Sequence, residues 1–405
     1  MPLPNVPPST LHAHGCAALS TFLAATVKRG DVPGVVLVVV SPDRVLYHEA
    51  FGNMETARDV PMRKDAIFRI ASMTKALTST AVMMLVEEGR LRLDDAVSRY
   101  LPAFKSLEVI SRIDLEAGVY ETRPAAWPMT IRQLLTHTSG IGYSWSDPGL
   151  ALVEKLTGKT SPADLPLLHD PGVQWTYGAS TRVLGSVVEE LSGQGIAEFL
   201  ESRIFGPLGM RDTGFRVDEA KRERVVTQHQ RTRDGLVEIP NPADLGVLPR
   251  GDGGLFSTAE DYARFVQLML GEGEVGAARL LKPETVRDMG RNHTGAIKVR
   301  VQPAARGDYT RPFPVGAGED VWGLGFQIAA PINPSPFGRR PGSMGWAGIN
   351  NTFFWIEPCA KIGVVLMMQV LPFYDAAALG VVAGVESHLH EQPSPLPSGT
   401  QLLAT

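Results

Sequence analysis

FRIASMTKALTSTAVMMLVEEG, residues 68–89, reads as a helix closed by Gly89. Apolar residues crowd its length at Ala76, Leu77, Ala81, Val82, Met83, Met84, Leu85 and Val86. A helix that is apolar nearly all round belongs in a core. Lys75, in its first turn, contradicts that reading. Between Lys75 and Glu87 there is no other charge, only the short hydroxyls of Thr78, Ser79 and Thr80. Burying an ammonium is costly unless something uses it.

Ser72 stands three residues before Lys75, a spacing that puts two helical side chains on one face. A serine hydroxyl is a poor nucleophile until a base takes its proton. A lysine serves as that base once its pKa falls. Burial lowers it, and the positive end of a helix lowers it further. The same helix end favours negative charge developing beside Ser72. Ser72 is the only serine in the chain with lysine three residues on. Short patterns recur by chance, so spacing alone leaves a catalytic pair and an incidental core lysine both open. Competing signatures are missing: the chain has no G-x-S-x-G, H-E-x-x-H, Walker loop or C-x-x-C. HAHGC (12–16) and HLH (388–390) read as helix faces near the ends of the chain rather than as metal ligands.

The 405 residues are 44% hydrophobic and 20% charged, an ordinary globular composition. The net charge of −4 gives no basic excess for nucleic acid. Cys16 and Cys359 lie far apart and suit a reducing compartment rather than a disulfide framework. The first 25 residues lack the basic start and apolar run of a signal peptide, which predicts a cytoplasmic location. No apolar stretch reaches the length of a membrane span.

Residues 10–29 predict a helix, and GVVLVVVSPDRVLYHEAFG (34–52) predicts a hairpin about SPDR. Residues 91–104 read as a short helix and loop with Asp94 as N-cap. The middle of the chain reads as mostly helical: 129–142, stopped by Ser139-Gly140, then 179–210 broken near Gly193, 257–273 and 282–290. Ser257, with Glu260 three residues on, carries the capping signal for the third of these. Strands return at 321–330, 350–358 and 361–370, the last two joined by the turn EPCAK. A final helix spans roughly 375–390, and the Pro/Ser-rich tail 391–405 is expected to be flexible. Residues 302–320 read as a loop over the rim of a site. Strands at both ends and helices between predict one antiparallel sheet built from both ends, with an all-helical lobe inserted. The α/β lobe takes about 10–80 and 310–390, and the mainly helical lobe about 81–309. A cleft between such lobes is a usual ligand site.

SMTK, then LLTHTSGIGY (134–143), WTYGAS (175–180), GGLFSTAEDYARF (253–265) and GWAG (345–348) follow one another in a known order. Over about residues 10–390 the chain resembles the serine hydrolases related to class C β-lactamases and penicillin-binding DD-peptidases. Within them it is most similar to the family VIII carboxylesterases, whose relatives include polyketide side-chain transacylases. The resemblance implies a single catalytic domain of the β-lactamase/transpeptidase-like α/β (α+β) fold. It implies Ser72 as nucleophile, Lys75 as its partner, and Tyr177 as a phenol whose pKa the ammonium lowers. It implies an oxyanion hole from the backbone N–H groups of Ser72 and Ile349. Tyr143 and Trp346 would line the substrate pocket, Gly348 would let an edge strand approach the substrate, and His137 would be structural. No metal or organic cofactor is implied.

Two motifs depart from the β-lactamase pattern. Y-x-N is here Tyr177-Gly178-Ala179, without the asparagine that holds a substrate amide. K-T-G is here Trp346-Ala347-Gly348, without the lysine that attracts a substrate carboxylate. An indole in place of that cation favours neutral, apolar acyl esters. The sequence therefore predicts a serine carboxylesterase for short- to medium-chain esters, whose partner is a small-molecule ester substrate. The rivals are an acyltransferase, a β-lactamase or amide hydrolase, and an idle scaffold on the same fold. The intact Ser72, Lys75 and Tyr177 argue against the last.

Overall fold

A computed structural model describes residues 13–331 and 338–390. Its centre is an eight-stranded sheet in the order Val321–Trp322, Gln327–Ile328, Met344–Gly348, Thr352–Glu357, Ile362–Met367, Gly34–Val40, Val45–Glu55, Val60–Pro61. Every neighbouring pair in it is antiparallel. The two ends of the chain meet where Val36 pairs with Met367 and Val40 with Gly363. All seven residues of GVVLVVV are buried, so both faces of that strand are covered. This is why the segment is a continuous β-branched run rather than an alternating one. Helix Ala13–Lys28 packs with Ala376–His390 against the sheet, and Ala259–Leu270 packs on strands Ile362–Met367 and Gly34–Val40.

The segment between the two halves of the sheet holds helix Thr74–Glu87, packed on Ser180–Ser192, which in turn packs on Ile131–Leu135. That segment is less helical than its sequence suggests. Hairpins form at Glu108–Asp114 with Val119–Pro124, and at Gln228–Thr232 with Gly235–Ile239. The helix expected over 129–142 is confined to Ile131–Leu135, because His137 and Gly140 take positive φ and turn the chain. Asp94 caps no helix; its carboxylate binds Arg132 at 2.8 and 2.9 Å instead. The cap of Ala259–Leu270 is Thr258, which accepts from the Asp261 N–H at 3.0 Å. Ser257 belongs to the strand before it and shares a hydrogen bond with Thr213. The strand expected over 321–330 is two short ones folded back on each other.

Among the described residues no helix is long and apolar enough to cross a membrane, and there is no cluster of three or more His, Cys, Asp or Glu side chains fit for a metal. His12 and the expected tail 391–405 lie outside the described residues.

Candidate active site

Strand Ile67–Arg69 runs into a tight 3₁₀ turn, Ala71–Met73, and only then into helix Thr74–Glu87. Ser72 thus lies on the turn just before the α-helix, while Lys75 lies in its first turn. Ala71 is held at φ +44, a region that a side chain with a Cβ rarely adopts. Strand Met344–Gly348 braces this turn. A Cβ on Gly348 would stand 2.3 Å from the Ile70 carbonyl oxygen and 2.3 Å from Thr352 Oγ1. The close approach that glycine permits here is therefore to the backbone beside Ser72.

Lys75 is 2% exposed. Its Nζ donates to Ser72 Oγ at 3.1 Å and to the Asp252 carbonyl oxygen at 2.6 Å. The ammonium lies over the rings of Tyr177 (4.9 Å) and Tyr143 (5.5 Å). Burial pushes the Lys75 pKa down to about 7. The Asp252 charge opposes that fall, and Arg182 and Arg250 add to it.

Tyr177 is also 2% exposed. Its N–H donates to Gln302 Oε1 at 3.0 Å, and its phenol oxygen accepts from Trp346 Nε1 at 3.1 Å. The chain can pass here only because the next residue is Gly178. A Cβ there would fall 1.9 Å from the Ile141 carbonyl oxygen. Burial raises the Tyr177 pKa, and hydrogen bonds with Ser72 and Trp346 only partly offset it. The expectation that the neighbouring ammonium lowers this pKa is therefore corrected. Desolvation of the phenolate outweighs everything else, so Lys75 is the group that loses its proton near neutral pH.

A cavity of about 330 Å³ opens beside Ser72. Ile349, Tyr143, Trp145, Arg250 and Tyr309 are among its walls. Ile349 follows the last paired residue of strand Met344–Gly348, in a turn closed by the Asn351 N–H on the Gly348 carbonyl. Ile349 and Ser72 line the same cavity. Trp346, expected as a wall, does not line this cavity. It is buried behind Tyr177, its ring 4.9 Å from Tyr177 and 4.7 Å from Trp322. Tyr143 does line the cavity, but its hydroxyl donates to Asp252 Oδ2 at 2.6 Å. His137 packs on Tyr177, Trp322 and Trp175 and is held neutral, since burial and the Lys75 charge drive its pKa well down.

The residues not anticipated are Asp252, Arg182 and Arg250. Arg182 pairs with the Asp252 carboxylate at 3.1 Å, and Arg250 stands 4.0 Å from it. The available signal was an acid set among glycines in Arg250-Gly251-Asp252-Gly253-Gly254, since such loops often carry site residues. As a whole the cluster sets a serine hydroxyl in the cavity wall, with a near-neutral amine and a buried phenol packed against it. That set fits acyl transfer through a serine.

A family model described as Beta-lactamase matches residues 19–384, which include every residue of this cluster. Esterase EstB of Burkholderia gladioli is 30% identical over 387 residues, covering 87% of this chain and 89% of EstB. Monacolin J acid methylbutanoyltransferase of Aspergillus terreus (strain NIH 2624 / FGSC A1156) is 28% identical over 407 residues, covering 92% of this chain and 95% of that protein. Among solved structures, the LovD6 mutant of simvastatin synthase (LovD) from Aspergillus terreus superposes with a TM-score of 0.80 at 26% identity. That match covers 94% of this chain and 95% of that one.

Proposed function

We propose that this chain, which belongs to the beta-lactamase family as an esterase-like serine hydrolase of the family VIII kind, is a carboxylesterase for short- to medium-chain acyl esters. The observation that carries the proposal is a buried Lys75 Nζ, 3.1 Å from Ser72 Oγ, with a pKa near 7. Ser72 Oγ attacks the ester carbonyl as its proton passes to neutral Lys75. The backbone N–H groups of Ser72 and Ile349 receive the oxyanion; in comparable sites one such donor is worth ~3 kcal/mol. The phenol of Tyr177, kept protonated by burial, relays the proton from Lys75 to the departing alkoxide. Water then attacks the acyl-enzyme with the same groups working in reverse.

The Trp346 indole donates to the phenol oxygen and so helps to orient that relay. Trp346→Phe keeps the ring packing and removes the donor. One neutral hydrogen bond is worth about 1 kcal/mol, so kcat is expected to fall roughly 5- to 10-fold with KM little changed. Steady-state kinetics on one ester checks this. An unchanged kcat would exclude the indole from the relay.

Ala179 stands where an amide-binding asparagine would be, and Trp346 where a carboxylate-binding lysine would be. On p-nitrophenyl acetate, butyrate and octanoate, kcat/KM is expected to exceed that on nitrocefin by about 100-fold or more, as expected for a site left without both partners. Faster nitrocefin cleavage would put a β-lactamase first. Acyl transfer is the second reading, supported by the 28% identity to a methylbutanoyltransferase. Adding 1-butanol to the butyrate assay separates the two. A hydrolase releases mainly butyrate, and a transferase mainly butyl butyrate.

A further inference from the structure

Asp252 takes no part in the reaction proposed above, yet it is the most heavily bonded acid near Ser72. Its side chain is 4% exposed. Its carboxylate accepts from Tyr143 Oη at 2.6 Å, and from Arg182 Nε at 3.2 and 3.3 Å and Nη2 at 3.1 Å. Its main-chain carbonyl holds Lys75 Nζ at 2.6 Å. A carboxylate buried this deeply is costly unless fully paired. It also works against a lysine base, because a nearby negative charge favours the ammonium.

Arg182 resolves that conflict. Its guanidinium neutralises the carboxylate and, with Arg250, presses the Lys75 pKa back down. The other groups facing Lys75 bring little charge of their own. His137 is held neutral, and the phenols of Tyr143 and Tyr177 are pushed up by burial. Glu154, in the same cavity wall, acts on Arg182, and the Tyr309 phenol there is pushed up by burial and adds no charge. The balance at Nζ is thus set by one acid and two arginines.

We propose that Asp252 is a positioning residue for Lys75: its carbonyl fixes Nζ beside Ser72 Oγ, and its carboxylate, locked by Arg182 and Tyr143, is the counter-charge that balances Arg182 and Arg250 around that amine. The proposal rests on Lys75 being the base. It gives Tyr143 a second duty, since its ring lines the substrate cavity while its hydroxyl locks the acid.

The test is the pH dependence of kcat/KM on p-nitrophenyl butyrate for wild type, Asp252→Asn, Arg182→Gln and the double variant. Activity falls on the acid side as Lys75 takes up its proton, near pH 7 in wild type. Asp252→Asn removes the charge that favours the ammonium, so its acid limb is expected to move down by about half a pH unit or more. Arg182→Gln is expected to move the limb up, and the double variant to return close to wild type. A limb unmoved in Asp252→Asn and Arg182→Gln, with activity merely scaled down at every pH, would overturn the proposal and leave Asp252 a packing residue. If Asp252→Asn does not fold by circular dichroism, the directions in Arg182→Gln and the double variant decide in the same way. Lys75→Met guards the premise: retained ester activity there sinks the lysine base itself, whatever Asp252 does.

Discussion

Ser72→Ala is expected to lose roughly 10⁴- to 10⁶-fold in ester kcat/KM, the range seen when the nucleophile of an acyl-transfer site is removed. The thermal midpoint should stay within a few degrees of wild type. The hydroxyl is not part of the packed interior, and Lys75 keeps its hydrogen bond to the Asp252 carbonyl when Ser72 Oγ is gone. Active-site serines carry strain and unsolvated neighbours, so a slight rise in stability is also consistent. Steady-state hydrolysis of p-nitrophenyl butyrate and a calorimetric melt check both halves. Retained turnover would point to another nucleophile. Ser139 and Ser180 are poor alternatives, since both are buried and bonded to each other at 2.8 Å.

The second large effect is expected at a residue with no chemistry of its own. In Gly178→Ala the new methyl lands on the Ile141 carbonyl and close to Gly142 Cα, with contacts of 1.9 and 2.7 Å. Both are backbone, and neither can swing aside as the end of a flexible side chain would. Either the 141–142 segment moves, which shifts the cavity wall, or Tyr177 moves off Ser72 and Trp346. Overpacking of a rigid site costs about 1–3 kcal/mol or more, and a misplacement of about 1 Å in a catalytic group costs about 100-fold in rate. Both losses are expected, in the melt and in kcat. Gly193→Ala is the control: it sits at φ +71 with nothing within 4 Å of a Cβ. It should cost about 1 kcal/mol of backbone strain and leave kcat alone. Wild-type kcat in Gly178→Ala would mean that the Tyr177 position tolerates more freedom than the proposed relay allows.

Much of the site was legible because it breaks a local pattern. Lys75 stands out as a charge inside an apolar helix, and the β-branched runs at 34–40 and 361–370 announce central strands. The glycines around Asp252 mark a loop, but its part in the site was not legible. Its partners Tyr143, Arg182 and Lys75 are far from it in sequence, and no periodicity reports which loops will meet. The direction of the Tyr177 pKa failed for a related reason. The ammonium beside it was inferable, but the completeness of its burial was not, and burial is the larger effect. The hairpin at 108–124 was missed because its strands are largely solvent-facing, and that at 228–239 because its first strand, Gln228–Thr232, holds no apolar residue, so neither pair shows the alternation that marks a half-buried strand. The misplaced cap is an ambiguity between adjacent hydroxyls, since Ser257 and Thr258 each have an acid three residues on.

The pairing of Val36 with Met367 also has a consequence for synthesis. The ribosome releases GVVLVVV more than 300 residues before its sheet neighbour Ile362–Met367. At about 5–20 residues per second, roughly 20–60 s separate the two. Throughout that interval the nascent chain carries an uncharged, proline-free β-branched segment with one edge unpaired, the type most prone to stick to another copy. A strand that is fully buried in the finished enzyme is thus one that the unfinished chain needs a chaperone to shield. Yield on overexpression should therefore respond to chaperone supply and to growth temperature more than to any change at the active site.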